Sequence, residues 1–188
     1  TRVYCYTDEN GSETAGRVFI VANIVLQGEH DELYTFCEQA EQVSGKGKFK
    51  WGKAKHEQRL DYIRRIFAEP RFRGRIRYSI FEDRKDYDVA TVNAISRALL
   101  LEHTSQKDKV TVRVDALSKT KRREYAQMLR TIGILVRDVR GITKDETNAI
   151  TRLADAVAGL VRDVHDQPNS EIADLFEVAK RKKIIIEV

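Results

Sequence analysis

The chain has 188 residues, 41% hydrophobic and 34% charged, with a formal net charge of +5. That is the length of one domain with a sizeable core and a charged skin, not a disordered chain, and no run approaches the ~20 apolar residues of a membrane span. Two cysteines without metal-ligand spacing and four scattered histidines argue against a zinc site. They fit a reducing, cytoplasmic compartment, and no basic-then-apolar leader opens the chain.

In chain order, Arg2 to Thr7 reads as a first strand and "RVFIVANIVL", Arg17 to Leu26, as a second. The second is apolar almost throughout, which predicts burial on both faces. "NGSETAG" between them is turn chemistry, so the two strands should pair as a hairpin. A helix is expected from about His30 to Val43, then a basic loop, then a helix from about His56 to Phe67. "GRIRYSIF" sets Arg75 and Arg77 against Ile76, Tyr78 and Ile80, the pattern of a half-exposed strand. Tyr87 to Glu102 should be helical, "KVTVRVD" a strand ending on Asp115, Lys119 to Thr131 a helix, and "GILVRDV" from Gly133 to Val139 a further strand. Thr143 and Glu146 form a capping box that should open a helix running to Val164. Its Ile150, Leu153, Ala154, Val157, Leu160, Val161 and Val164 make a 3.6-period stripe. Asn169 or Ser170 caps a last helix, and "KIIIEV" supplies an edge strand. A strand pair followed by strand–helix alternation predicts a mixed α/β sheet with helices on its faces, one domain over residues 1–188 with a basic helical insertion around 44–70.

Positive charge is unevenly spread. "GKGKFKWGKAKHEQR" holds Lys46, Lys48, Lys50, Lys53, Lys55 and Arg59 around Phe49 and Trp51, and "RRIFAEPRFRGRIR" adds six arginines. The first of these can track a phosphate backbone, with Phe49 or Trp51 stacking on a base; the alternative is a solvated loop with Trp51 tucked into the core. Lys119 and Lys144 stand close to acids in the chain, placed to neutralise charge in phosphoryl transfer, although each also reads as plain surface lysine.

Those acids form a pattern. Asp8 and Glu9 end the first strand, Asp115 ends a later one, and Asp155 sits mid-helix in "RLADAVAG". Each alone has an ordinary reading: turn formers, a helix cap, an exposed aspartate beside a helix-packing Gly159. Together they deliver several carboxylates to one end of a sheet, and such hard oxygen donors suit Mg²⁺ or Mn²⁺. Side chains alternate along a strand, so Asp8 and Glu9 should face opposite ways, and Asp8 is the better ligand.

"YTDENG", "VRVD" and "GITKDETNAITRLADAVAG", in that order, resemble the prokaryotic family called domain of unknown function 3800. Its hallmarks are an Asp-Glu-Ser-Gly motif on the first strand, a later strand ending in Asp, and a helix with an Ala-Asp core. The resemblance runs from about Val3 to Arg162 and implies an RNase-H-like fold. It implies that Asp8 is the first-strand metal ligand with Glu9 its neighbour, that Asp115 is the central-strand ligand, and that Asp155 completes the site. Asn10 stands where the family has Ser. A fourth acid, a glutamate on the first helix, has no motif to fix it; Glu38 and Glu41 are the candidates.

The resulting expectation is a metal-dependent nuclease acting on DNA or RNA through Asp8, Asp115, Asp155 and Glu9. Lys46, Lys48, Lys50, Trp51, Lys53, Lys119 and Lys144 would be the nucleic-acid contacts. The competing expectation is a non-catalytic nucleic-acid-binding or assembly subunit, as in a defence or mobile-element system. A homodimer or larger protein assembly stays open.

Overall fold

The computed structural model describes residues 1–11, 18–28, 30–102 and 108–188. Most of the expected "NGSETAG" turn, Arg17 as a strand start, and His103 lie outside the described residues. Six strands form one sheet: β1 (Arg2–Asn10), β2 (Val18–Gln27), β3 (Ile76–Glu82), β4 (Lys109–Asp115), β5 (Val136–Ile142) and β6 (Ile185–Glu187). Their order is β5-β4-β1-β2-β3-β6. β1, β2 and β3 run antiparallel in sequence, β4 and β5 continue the sheet parallel to β1, and β6 lies parallel to β3. β2 is buried on both faces along all but its last residue, as its unbroken apolar run requires.

Six helices cover the sheet: α1 (Asp31–Ser44), α2 (His56–Ala68), α3 (Tyr87–Leu100), α4 (Lys119–Thr131), α5 (Ala149–Asp166) and α6 (Glu171–Arg181). Alternation along β1 sorts the core. Tyr6 joins Ile20, Ile24 and Ile76 beneath α1, α2, α5 and α6; Val3 and Cys5 join Val112 and Val139 beneath α3 and α4. No helix among the described residues is long and apolar enough to cross a membrane.

Four expectations are corrected. β3 is not half-exposed: Arg77 is 4% exposed, because α3 covers its face and Glu102 neutralises it there. β5 begins at Val136 rather than Gly133, since Gly133 adopts φ +95° and ends the preceding turn. The Thr143–Glu146 capping box does form, but it closes only a short 3-10 turn, Lys144–Glu146. α5 starts six residues after Thr143, capped by Asn148, whose side chain accepts from the backbone of Ile150 and Thr151. Finally, α5 is buried on nearly every face, not along one stripe.

Candidate functional site

β1 and β4 are adjacent and parallel, with Thr7 in register with Val114. Asp8 and Asp115 each follow that last pair by one residue, at the same end of the two strands. Period-2 alternation puts Asp8 on the Tyr6 side, the face on which α5 packs. α5 supplies Asp155, and the three carboxylates line one cavity of about 120 Å³. Its remaining lining includes Lys48, Lys50, Lys144, Thr147, Thr151 and Arg152.

The turns around the site hold it in place. Past Asn10 the chain bends at Gly11, φ +106°, and Arg162 of α5 ties this end down by donating to Val18 O (2.6 Å) and Asn10 Oδ1 (3.3 Å). A Cβ on Gly11 would lie 2.3 Å from both Arg162 Nη2 and Val18 O, so the Asn-Gly pair answers to packing as well as to turn preference. After Asp115 the backbone passes through Ala116 at φ +53°, a left-handed conformation that costs a non-glycine residue about 1–2 kcal/mol. Ala116 N–H donates to Ile142 O, which fixes this turn on β5.

The carboxylates repel one another. Burial above all, then the charges of Asp155 and Asp115, push the Asp8 carboxyl up to about 8, against the opposing pull of the Glu9 N–H and Lys50. Asp8 therefore carries a proton at neutral pH. Lys50 answers the same field: burial works against its ammonium, but Asp115, Asp155 and Asp8 outweigh it and hold its pKa above the ordinary lysine value. Lys50 Nζ lies 3.7 Å from Asp115 Oδ2.

The basic loop reaches the cavity because it is pinned twice. Lys46 is fully buried, donating to Phe49 O (2.7 Å) and lying 4.9 Å over the Tyr62 ring. Trp51, 3% exposed, packs on Gly159; its backbone N–H donates to Asp155 Oδ2 (2.8 Å) and its indole N–H to Asp163 Oδ2 (2.7 Å). Between these two clasps the loop hands Lys48 and Lys50 to the carboxylates.

The predicted residues thus separate. Asp8, Asp115, Asp155, Lys48, Lys50 and Lys144 come together. Glu9 does not: it faces α3, where Thr91 Oγ1 donates to it, as strand alternation requires. Lys46 and Trp51 are corrected from nucleic-acid contacts to buried clasps, and the aromatic left exposed in this loop is Phe49, at 61%. Lys53 is exposed but does not line the cavity, and Lys119 lines a different groove. Glu41 is no fourth ligand: it binds Arg152 bidentately at 2.7 and 2.8 Å, both side chains buried. Glu38 is exposed on α1 and is not among the cavity residues. Sequence reasoning missed Arg152 and Thr147. Arg152 was findable one helical turn before Asp155; nothing in the sequence marks Thr147.

A divalent cation is the group that these acids suit. The donor chemistry suits it, because three clustered carboxylates hold one proton and attract one ammonium where a harder, doubly charged ion would serve both ends. Among the described residues no group of three or more His, Cys, Asp or Glu side chains is gathered closely enough to be a formed metal centre.

No family model matches this chain, and no curated protein matches it. Solved structures do match it, two of them as follows. The ribonuclease H2 from Pyrococcus horikoshii OT3 is 13% identical, with a TM-score of 0.57 over 88% of this chain and 74% of that one. The PCNA:RNase HII complex from Archaeoglobus fulgidus holds a chain 14% identical, with a TM-score of 0.54 over 95% of this chain and 87% of that one. At such identities the likeness concerns architecture, and it shows that this chain has an α/β RNase-H-like fold.

Proposed function

We propose that this chain is a metal-dependent nuclease that hydrolyses phosphodiesters of DNA or RNA, and that it belongs with the domain of unknown function 3800 family. One observation carries the reading: Asp8, Asp115 and Asp155, from two strands and a helix far apart in sequence, share a cavity with Lys48, Lys50 and Lys144. Mixed charge of this kind suits a substrate that brings its own negative charge together with a cation. Asp8, Asp115 and Asp155 would hold Mg²⁺ or Mn²⁺, which when bound supplies Lewis acidity toward the phosphodiester. Asp8 would hold the ion as the unprotonated carboxylate. Lys50 leaves Asp115 and, with Lys48 and Lys144, meets the phosphate oxygens. Trp51 holds Asp155 through its backbone N–H and so fixes the loop relative to α5. Both cysteines are free and buried, in keeping with a reducing, cytoplasmic setting.

The test is cleavage of labelled DNA and RNA oligonucleotides with Mn²⁺ or Mg²⁺. Asp8→Asn and Asp155→Asn are expected to abolish cutting while the circular dichroism spectrum stays that of the wild type. Unimpaired cutting by both variants would overturn the assignment. A second reading, a nucleic-acid-binding subunit without chemistry, is favoured by the engagement of Asp155 with Trp51, of Asp115 with Lys50 and of Glu41 with Arg152. Calorimetric titration with Mn²⁺ separates the two, since a subunit without chemistry binds no ion tightly.

A further inference from the structure

Several cation-rich stretches of this chain are matched by carboxylates. In the arginine-rich run, Arg64 pairs with Glu171, Arg65 with Asp61, Arg71 with Glu69 and Glu32, and both Arg75 and Arg77 with Glu102. One region differs. Between α4 and the edge strand β5 lies a groove of about 820 Å³, lined by Lys119, Arg122, Arg123 and Arg130 of α4 and Arg137 of β5. Among the described residues none of these five has an ion-pair partner, and the groove's one carboxylate, Asp138, is taken by Arg140. Arg122 and Arg130 reach only backbone carbonyls, Gly141 O and Val136 O, and Arg122 Nε is buried with no partner at all.

This charge works against its own helix. Lys119, Arg122 and Arg123 are neighbours at i, i+3 and i+4, where like charges repel. They crowd the N-terminal turns, where the helix dipole is already positive. α1, α2, α3 and α6 each begin with acid, whereas α4, like α5, has none in its first turn. Packing does not explain cations kept so close together; an external polyanion does.

Position supplies the partner. α4 starts four residues after Asp115, so the Lys119 end of the groove lies at the same end of the sheet as the carboxylate cavity, across the sheet on the face of Val112 and Val139. From Lys119 to Arg130 the cationic face extends about 16 Å along the helix, and Arg137 lies at the far end, where β5 begins. No aromatic side chain lines the groove, so it offers charge for phosphates and no platform for bases.

We propose that the α4–β5 groove is a phosphate track that holds a nucleic-acid strand as it leaves the carboxylate cavity, without regard to base sequence. This rests on the nucleic-acid reading of that cavity. The test is fluorescence anisotropy with labelled single-stranded DNA, single-stranded RNA and duplex of mixed sequence, between about 50 and about 200 mM salt. The variant is Arg123→Gln/Arg130→Gln/Arg137→Gln, three exposed groove residues without ion pairs. Wild type should bind with a steep loss of affinity on adding salt. The triple variant should bind at least about tenfold more weakly at low salt, its log K against log salt slope shallower by about 2, with Mn²⁺ affinity unchanged. A triple variant with wild-type affinity and slope overturns the track and leaves the nuclease assignment intact. Wild type that binds none of the three probes overturns it as well. Groove-dependent binding without any metal-dependent cutting keeps the track and removes the nuclease.

Discussion

Two arginine-rich stretches of this chain look alike in sequence and differ entirely in space. Across residues 64–77 nearly every guanidinium is neutralised, some deep in the fold: Arg77 is 4% exposed and shares Glu102 with Arg75. Across Lys119–Arg137 the five groove cations have no ion-pair partner among the described residues, and the one carboxylate in the groove, Asp138, is taken by Arg140. The carboxylate cavity is the acidic equivalent, where burial above all, and then the charges of Asp155 and Asp115, keep a proton on Asp8. A balanced cluster contributes to the fold, whereas an unbalanced one costs stability and is explained by a ligand. Counting charges along the chain cannot separate these cases, because the neutralising acid lies up to 107 positions away, as Glu171 does from Arg64.

The contrast can be broken by three measurements. The largest effect should come from Asp8. Its pKa is raised from 3.8 to about 8, so the folded state keeps a proton that the unfolded chain gives up. Stability from that proton is fully present below about pH 4 and is lost as pH rises through about 8. Without metal, Asp8→Asn should gain on wild type by on the order of 5 kcal/mol above about pH 9 and by nothing near pH 4. Urea unfolding across pH checks this, and parallel curves for the two proteins would remove the strained cluster. Next in size is Glu102→Gln, which strands Arg77 in the core. It should cost about 3 kcal/mol, at the low end for a broken buried pair, because Arg77 keeps the carbonyls of Gly74 and Ala98. The smallest is Arg64→Gln. Its pair with Glu171 is half exposed on both sides, so the loss should stay below about 1 kcal/mol, with no change in the salt dependence of oligonucleotide binding. A shallower salt slope in this variant would erase the distinction between the two stretches.

Much of the architecture was legible because it follows from local periodicity. β2, β4, α2 and α4 fall within a residue or two of their expected bounds. The separation of Asp8 from Glu9 follows from strand alternation alone. What stayed hidden depends on partners distant in sequence. Arg77 alternates with apolar neighbours and so reads as solvent-facing; only Glu102 and the cover of α3 make its burial tolerable. Lys46 looks like its exposed neighbours Lys48 and Lys50, yet a ring and two carbonyls enclose it. The capping box misled for a different reason: its local hydrogen bonds form, but a second and stronger stop at Asn148 sets the real start of α5. Gly159 beside Asp155 was expected to serve helix packing, but what packs on it is the indole of Trp51.

That contact makes Gly159 a doorstop position. A single methyl there would sit 2.3 Å from Trp51 Cδ1. The indole would have to leave its seat, and the strap from Lys46 to Lys53 would lose its Trp51 clasp while the Lys46 clasp stays. Asp155 would lose its N–H donor and Asp115 its ammonium in the same movement. One missing carbon on a helix thereby keeps the loop latched shut over the acids.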